Sequence, residues 1–405
     1  MGREIAGLPN VEEKFSRLEK GADYVVAAEN PRIHSDRSLE DFFVFINPNV
    51  GEEKLTIEPP HWRVITWPDV DTQMDIPDAT STRKEPFFSV STKGVGYLKP
   101  SAQGGSIDEY ETWMEEDEAE EHDFGYKMFG LSSADDYLSG DVMRKSEHLL
   151  SRGLRTEAYW GVAKMERVYY QGELRTIEEL KKMGVIVDNP EYAPYQAVRV
   201  LKTNDRVEQV YQNDEKRKEI FEHAFRAYNK ENERLGVEQR LAMGDSEDEK
   251  KFLIDFYRRM GKNFAVLINL GYSHFRLHSS NVTMAAEIVD IGTMGHWSLD
   301  EDERFNEMSD GVRRSHIKDL RDIAYSMKYL RVAAREAGLS RPDREQCRRE
   351  FIEAFKENFD EKLSGEQGTD PAGIMRWIEK ITEAVWLKSL RLPALQNYEI
   401  TDWPV

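Results

Sequence analysis

His278-Ser-Ser-Asn281 and Asp290-Ile-Gly292 flank an apolar run, Val282 to Val289. Read as the ends of a short hairpin, they offer an amide oxygen and a carboxylate, nine residues apart, to one divalent cation. Mg2+ accepts hard oxygens of this kind and completes its shell with phosphate oxygens and water. Upstream, Lys99 closes the strand-like Gly-Tyr-Leu-Lys, and Glu147 lies on the helical segment that follows. A strand lysine held by a helix glutamate aims an ammonium at nucleotide phosphates. Taken alone, either pair is also what unrelated surface charges would give. Their order along one chain carries more.

Those residues need elements to hold them. Residues 1–85 read as an irregular N-terminal extension with a short strand or two, rich in Pro and Trp around Ile57-Glu-Pro-Pro-His-Trp. Residues 86–212 read as a β-rich unit with an acidic insertion at 108–137. Strands are expected on both sides of a glycine turn at Gly94 and Gly96, at Ala158–Tyr170 and after Pro194, with a helix from Asp141 to Arg152. Residues 213–405 read as helical, interrupted by the polar loop 278–292. Phe252, Phe256, Met260, Phe264 and Leu267 recur at helical steps, as do Phe351, Phe355 and Phe359, and Pro371 suits the start of a last helix. Strands, helix, strands and then mostly helix predict an α+β class in two lobes. The sequence holds neither a GxGxxG nor a Walker phosphate loop.

Composition narrows the partners. The 405 residues carry 56 Lys and Arg against 76 Asp and Glu, a net charge of −20. That balance argues against nucleic acid and against an anionic membrane surface. Ten of the sixteen residues from Asp108 to Asp123 are acidic, so about half of the excess sits in one segment. The stretch Gly311 to Glu350 is basic, with eleven Lys or Arg against six Asp or Glu, and could dock that segment or simply be solvated. The single cysteine, Cys347, suits a reducing cytoplasm and reads as a partly exposed, non-catalytic thiol. Neither a secretory leader nor an apolar membrane span is expected. The histidine pattern predicts no zinc centre.

Four blocks carry a resemblance. Ser146-Glu147-x5-Gly153-x2-Thr156 is similar to the S-E-x5-G-I-P-T motif of the selenoprotein O (SelO) family. Val198-Arg199-Val-Leu-Lys-Thr-Asn-Asp-Arg206 is similar to that family's V-R-V-x-x-S-x-x-R. His278 to Gly292 resembles its N-T-D-N…D-Y-G segment with the same Asn-to-Asp spacing, and the strand before Lys99 fits its nucleotide lysine. The match spans roughly residues 95–297. It implies an atypical bilobal protein-kinase-like fold, with a small β-rich N-lobe and a mostly helical C-lobe, that binds ATP in flipped orientation. The implied activity moves AMP to a protein hydroxyl or another acceptor and releases pyrophosphate, with Mg2+ (or Mn2+) as cofactor. Lys99 would contact phosphates and Glu147 would orient it. Asn281 and Asp290 would hold the metal, and Gly292 would border the nucleotide. Arg199 and Arg206 would grip the terminal phosphate; without the resemblance they read as surface ion pairs. Paired guanidiniums suit such charge.

The departures are informative. The family's acidic residue in N-T-D-N is Ser280 here, so the base falls to His278 or to no residue at all. Lys99 and Glu147 stand 48 residues apart, wider than the family pattern, which leaves Lys93 as a second candidate. The family's C-terminal redox cysteine or selenocysteine has no counterpart. Three functions therefore stand: an AMP transferase, a small-molecule kinase or acyl-adenylate-forming ligase on the same fold, and a nucleotide-binding pseudokinase acting by interaction.

Overall fold

The computed structural model describes residues 11–46, 53–57, 64–77, 81–95, 142–170, 173–184, 194–296, 309–366 and 371–387. Lys99, Gly96 and the acidic insertion 108–137 lie outside them. The chain divides into two compact units, one of residues 1–147 and 158–204, the other of residues 148–157 and 205–405.

The first unit is built on β1 (Val11–Arg17), β2 (Tyr24–Glu29), β3 (Ile33–Ser35), β4 (Val44–Ile46), β5 (Glu53–Ile57), β6 (Val64–Pro77) and β7 (Thr82–Lys93). After helix α1 (Val142–Ser151), within which the division falls, come β8 (Ala158–Met165), β9 (Arg167–Tyr170), β10 (Glu173–Thr176), helix α2 (Ile177–Lys182) and β11 (Tyr195–Leu201). A six-stranded sheet runs β2-β8-β11-β7-β6-β3 with every neighbour antiparallel. The inner strand β11 is buried along its whole length, all seven residues, Gln196 and Arg199 included. The edge strand β2 instead alternates exposed positions with ones that are buried at Tyr24 and half-buried beyond it. Gly161 in β8 is closely covered by the Leu39 side chain, whose Cδ2 would lie 2.5 Å from a Cβ there.

Residues 1–85 are not an irregular appendage. β2, β3 and β6 belong to the main sheet, and β4-β1-β5 form a second, three-stranded one. The alternation in β6 is clean only from Thr72, where Thr72, Met74 and Ile76 are buried between half-buried neighbours. Before it, the register shifts between Pro68 and Thr72, and Asp69 takes φ 58°. That bulge breaks the period-two signal a sequence reading depends on. The acid–Pro composition around it then reads as loop.

The second unit holds α3 (Val207–Gln212), α4 (Arg217–Arg234), α5 (Ser246–Asn269), β12 (Tyr272–Ser273), β13 (Gly295–His296), α6 (Ser309–Glu336), α7 (Arg344–Asn358), α8 (Glu361–Glu366) and α9 (Pro371–Thr382). Asp245 caps α5 by accepting from the N–H groups of Glu247 and Asp248 at 3.0 and 3.1 Å. The stripe Phe252, Phe256, Met260, Phe264 and Leu267 is buried throughout. Gly261 lets α7 approach this helix, because a Cβ would lie 2.3 Å from the Phe351 carbonyl oxygen. Trp386 completes the core, edge-on to Tyr257 and Phe351 at 5.4 and 5.5 Å. Cys347 is not partly exposed: it retains 1 % of its surface, one turn before Phe351 on the face of α7 that packs inward. Among the described residues no helix is long and apolar enough to cross a membrane.

Candidate functional site

In the second unit β12 and β13 pair antiparallel, Tyr272 with His296 and Ser273 with Gly295, which closes residues 274–294 into a loop. Inside it the apolar run folds back on itself. Val282 bridges Ile288, Thr283 N–H donates to the Glu287 carbonyl at 3.0 Å, and Val289 N–H donates to the Asn281 carbonyl at 3.1 Å. The register sets Asn281 opposite Val289, one residue from Asp290. Asn281 and Asp290 thus stand at neighbouring positions of one hairpin. The Asn281 amide donates through Nδ2 to the Arg276 carbonyl at 2.8 Å. Asp290 sits in the left-handed region (φ 63°, ψ 43°), and both its own N–H and that of Ile291 donate to Oε1 of the buried Glu157, at 2.8 and 3.2 Å.

Two rails hold the hairpin. On one side Thr156 bridges Ile288, its Oγ1 donates to the Ile288 carbonyl at 2.5 Å, and Ile288 N–H donates to the Arg155 carbonyl. Arg155 grips Glu231 with two hydrogen bonds at 2.7 and 3.0 Å and the Ala285 carbonyl with two more, at 3.2 and 3.0 Å. Asn263 of α5 accepts from Arg155 N–H at 3.1 Å and donates to the Ala286 carbonyl at 2.8 Å. On the other side Arg206 bridges Thr283, and Val207 N–H donates to the Val282 carbonyl at 3.0 Å. Of the four described non-glycine residues at positive φ, three lie here: Phe275, Ala286 and Asp290. Left-handed backbone at such residues costs free energy and collects at functional sites.

Below the loop lie groups that were not picked out from sequence. His274 is fully buried and its Nε2 donates to the Val289 carbonyl at 2.7 Å; burial pushes the imidazole pKa down, which keeps it neutral. Asp319 of α6 accepts from Ser273 Oγ and His274 N–H, both at 2.7 Å, and burial pushes its carboxyl up to about 7. His278 Nδ1 and Ser280 Oγ lie 2.5 Å apart. A signal was present: His274-x-x-Leu277-x-x-x-Asn281 has the spacing of the kinase catalytic loop H-R-D-L-x-x-x-N, with Arg276 where its aspartate stands. No such pattern marks Glu157 or Asp319, whose roles come from tertiary packing.

No protein-family model matches the chain, and no curated protein does. The selenoprotein O resemblance therefore rests on its motifs. Among solved structures the chain is similar to the rhoptry antigen kinase domain of Toxoplasma gondii, with 9 % identity over 93 % of this chain and 89 % of that one, at a TM-score of 0.31. At that TM-score the likeness decides neither fold nor chemistry.

The remaining expected residues are placed as follows. Arg206 caps α3, is buried at 2 %, and its N–H donates to Gln209 Oε1 at 2.6 Å. In the first unit Arg199 lies on β11, buried at 3 %, with Nη2 donating to Ser91 Oγ at 3.2 Å. Neither is a surface arginine. Glu147 on α1 pairs with Arg32 at 3.0 Å, both partly exposed, and Lys93 ends β7. A lysine passed over in the sequence, Lys202, is buried and donates to Glu85 Oε1 at 2.6 Å and the Pro86 carbonyl at 2.9 Å. Gly292, beside Asp290, is exposed.

Among the described residues no three His, Cys, Asp or Glu side chains converge on a metal position. The Asn281 and Asp290 set is of another kind. One amide and one carboxylate suit a Mg2+ that also takes phosphate oxygens, since Mg2+ is commonly bound by one or two protein groups plus the substrate.

Proposed function

We propose that the chain is an ATP- and Mg2+-dependent transferase of kinase-like design that moves AMP from ATP to an acceptor. The observation that supports this is the hairpin register, which pairs Asn281 with Val289, the neighbour of Asp290. Bound Mg2+ would neutralise phosphate charge, and Asn281 and Asp290 would hold it. The two positions where a carboxylate base would stand are Arg276 and Ser280, which leaves either transfer without that base. One feature favours AMP over phosphate transfer. Arg206 is enclosed and tied by its backbone to the hairpin, a placement suited to the charge of a pyrophosphate leaving group. Lys99, Glu147 and Arg199 keep in this reading the roles that the family resemblance gives them.

In the reaction an acceptor oxygen bonds to the α-phosphorus, and the bond to the β-phosphate bridge breaks. Pyrophosphate leaves with the electron pair, and the acceptor proton passes to His278. A second reading, nucleotide binding without turnover, draws on the same Arg276 and Ser280.

ATP labelled separately at the α- and γ-phosphates tests both. Label from the α-position on an acceptor, with pyrophosphate released, is the expected result. Transfer of γ-label with ADP points to a kinase instead. AMP carried only transiently by the acceptor points to a ligase, and binding without turnover to the second reading.

A further inference from the structure

Arg276 occupies a position where a kinase-type base would stand, yet a guanidinium stays protonated and cannot take a proton. Its backbone is tied down from two sides. The Arg276 carbonyl accepts from Nδ2 of Asn281 at 2.8 Å. The residue before it, Phe275, takes φ 62°, and the Phe275 carbonyl accepts from the Lys318 ammonium of α6. The Arg276 side chain is exposed, and among the described residues its guanidinium meets neither a hydrogen-bond acceptor nor an acid.

The charges around this loop are uneven. Arg321 of α6 approaches its neighbour Asp322 at 3.7 Å, but its buried Nε has no hydrogen-bond acceptor. Asp322 serves several groups at once: burial pushes its carboxyl up, and Arg321, Lys318 and His278 lie near enough to oppose that push. The other acids are turned inward. Asp319 and Glu157 are fully buried and already accept from Ser273, His274, Asp290 and Ile291. In a chain of net charge −20, three cations and one shared acid beside the exposed His278 make a local exception. A guanidinium with no internal partner has no pair to break before it meets an arriving anion.

We propose that Arg276 selects the acceptor, binding a carboxylate of an acidic peptide segment whose hydroxyl is thereby presented to His278. This assignment rests on the transfer proposed above. The guanidinium fork matches a carboxylate in charge and geometry, and charge complementarity at an exposed site acts chiefly on specificity. A peptide suits the site better than a small free acid. Arg276, His278 and Lys318 are all exposed, whereas small-molecule sites enclose most of their ligand. The position without a base is thus a recognition position: His278 takes the proton, and Arg276 fixes where the hydroxyl sits.

Serine peptides flanked by Glu, Gln or Lys test this on the full chain, as acceptors with Mg2+ and ATP labelled at the α- or γ-phosphate. Their binding is read separately by fluorescence anisotropy without nucleotide, which decides the matter where no peptide is turned over. The Glu peptide should be preferred. Arg276→Gln should raise its KM at least about tenfold with a smaller change in kcat, the scale of one charge-assisted hydrogen bond. Arg276→Glu should reverse the preference toward the Lys peptide, in anisotropy as in turnover, which a merely structural arginine would not do. Calorimetric affinity for Mg2+-ATP should be the same in Arg276→Gln as in the wild type; a loss there would make Arg276 a nucleotide ligand and overturn the proposal. Equal binding of the three peptides, or a Glu preference that both variants keep, overturns it too. AMP transfer without the charge preference would remove Arg276 from acceptor selection and leave the transfer standing. The same Arg276-dependent preference with γ-label moved instead would keep the acceptor assignment and overturn AMP transfer.

Discussion

The Glu157 carboxylate accepts the backbone N–H of Asp290 at 2.8 Å from a fully buried position. The same oxygen takes the Ile291 N–H at 3.2 Å, so one acceptor fixes both sides of a residue held at φ 63°. A left-handed aspartate persists only when its surroundings over-determine it. Glu157 supplies that constraint, and it acts on the proposed metal ligand without touching the metal.

Glu157→Gln keeps an oxygen acceptor but removes the charge that strengthens these bonds. The fold should hold, with Mg2+ affinity in the presence of ATP weakened by about 10–100-fold, the usual scale for groups that orient metal ligands. A Mg2+ titration monitored by nucleotide fluorescence reads it. Unchanged Mg2+ affinity would make Glu157 a packing residue only.

Ser280→Asp returns a carboxylate to the place where the resembled family has one. If proton removal limits turnover, the variant should be faster, and His278→Gln should be slower by about 100-fold, the lower range of general-base effects. Single-turnover rates across pH separate the two. Rates unmoved by either change would remove the base from this loop.

Asp319→Asn isolates one buried acid. Its folded pKa of about 7 lies above its unfolded value near 3.8, so the folded state binds the extra proton between those limits. Wild-type stability from this group is therefore retained below pH 4 and lost as pH rises to 7. His316, held down to about 4 by burial, acts in the opposite sense below its unfolded pKa, so only the difference between variant and wild type is diagnostic. Asparagine keeps an oxygen for Ser273 and His274. The variant should gain relative stability as pH rises from 4 to 7, on the order of 3 kcal/mol over that range. Denaturant melts at several pH values read this, and a pH-independent difference would contradict it.

Gly261→Ala tests the helix contact. Its methyl group would meet the Phe351 carbonyl, which is backbone and cannot rotate away. A loss of about 1–3 kcal/mol is expected by calorimetry, although alanine is the better helix former. A gain in stability would show that α5 and α7 are less tightly apposed.

The helical core was legible because Phe252, Phe256, Met260 and Phe264 repeat at the period of the element that buries them. The hairpin was legible at its ends, where Asn281 and Asp290 differ sharply from the apolar run between them. Cys347 was misjudged because its immediate neighbours are charged, although it stands four residues before Phe351 and eight before Phe355, on one helix face. Strand β6 was hidden by its bulge at Pro68–Thr72. Glu157 and Asp319 could not be read at all, since an acid is marked as buried only by what folds over it.

Mg2+-dependent ATP binding, measured by calorimetry on the wild type, Asn281→Ala and Asp290→Ala, addresses the central claim most directly. The wild type should bind ATP more tightly with Mg2+ than with EDTA, and each variant should lose that difference while keeping its metal-free affinity. Equal Mg2+ dependence in all three proteins would mean that the hairpin is not where the metal binds.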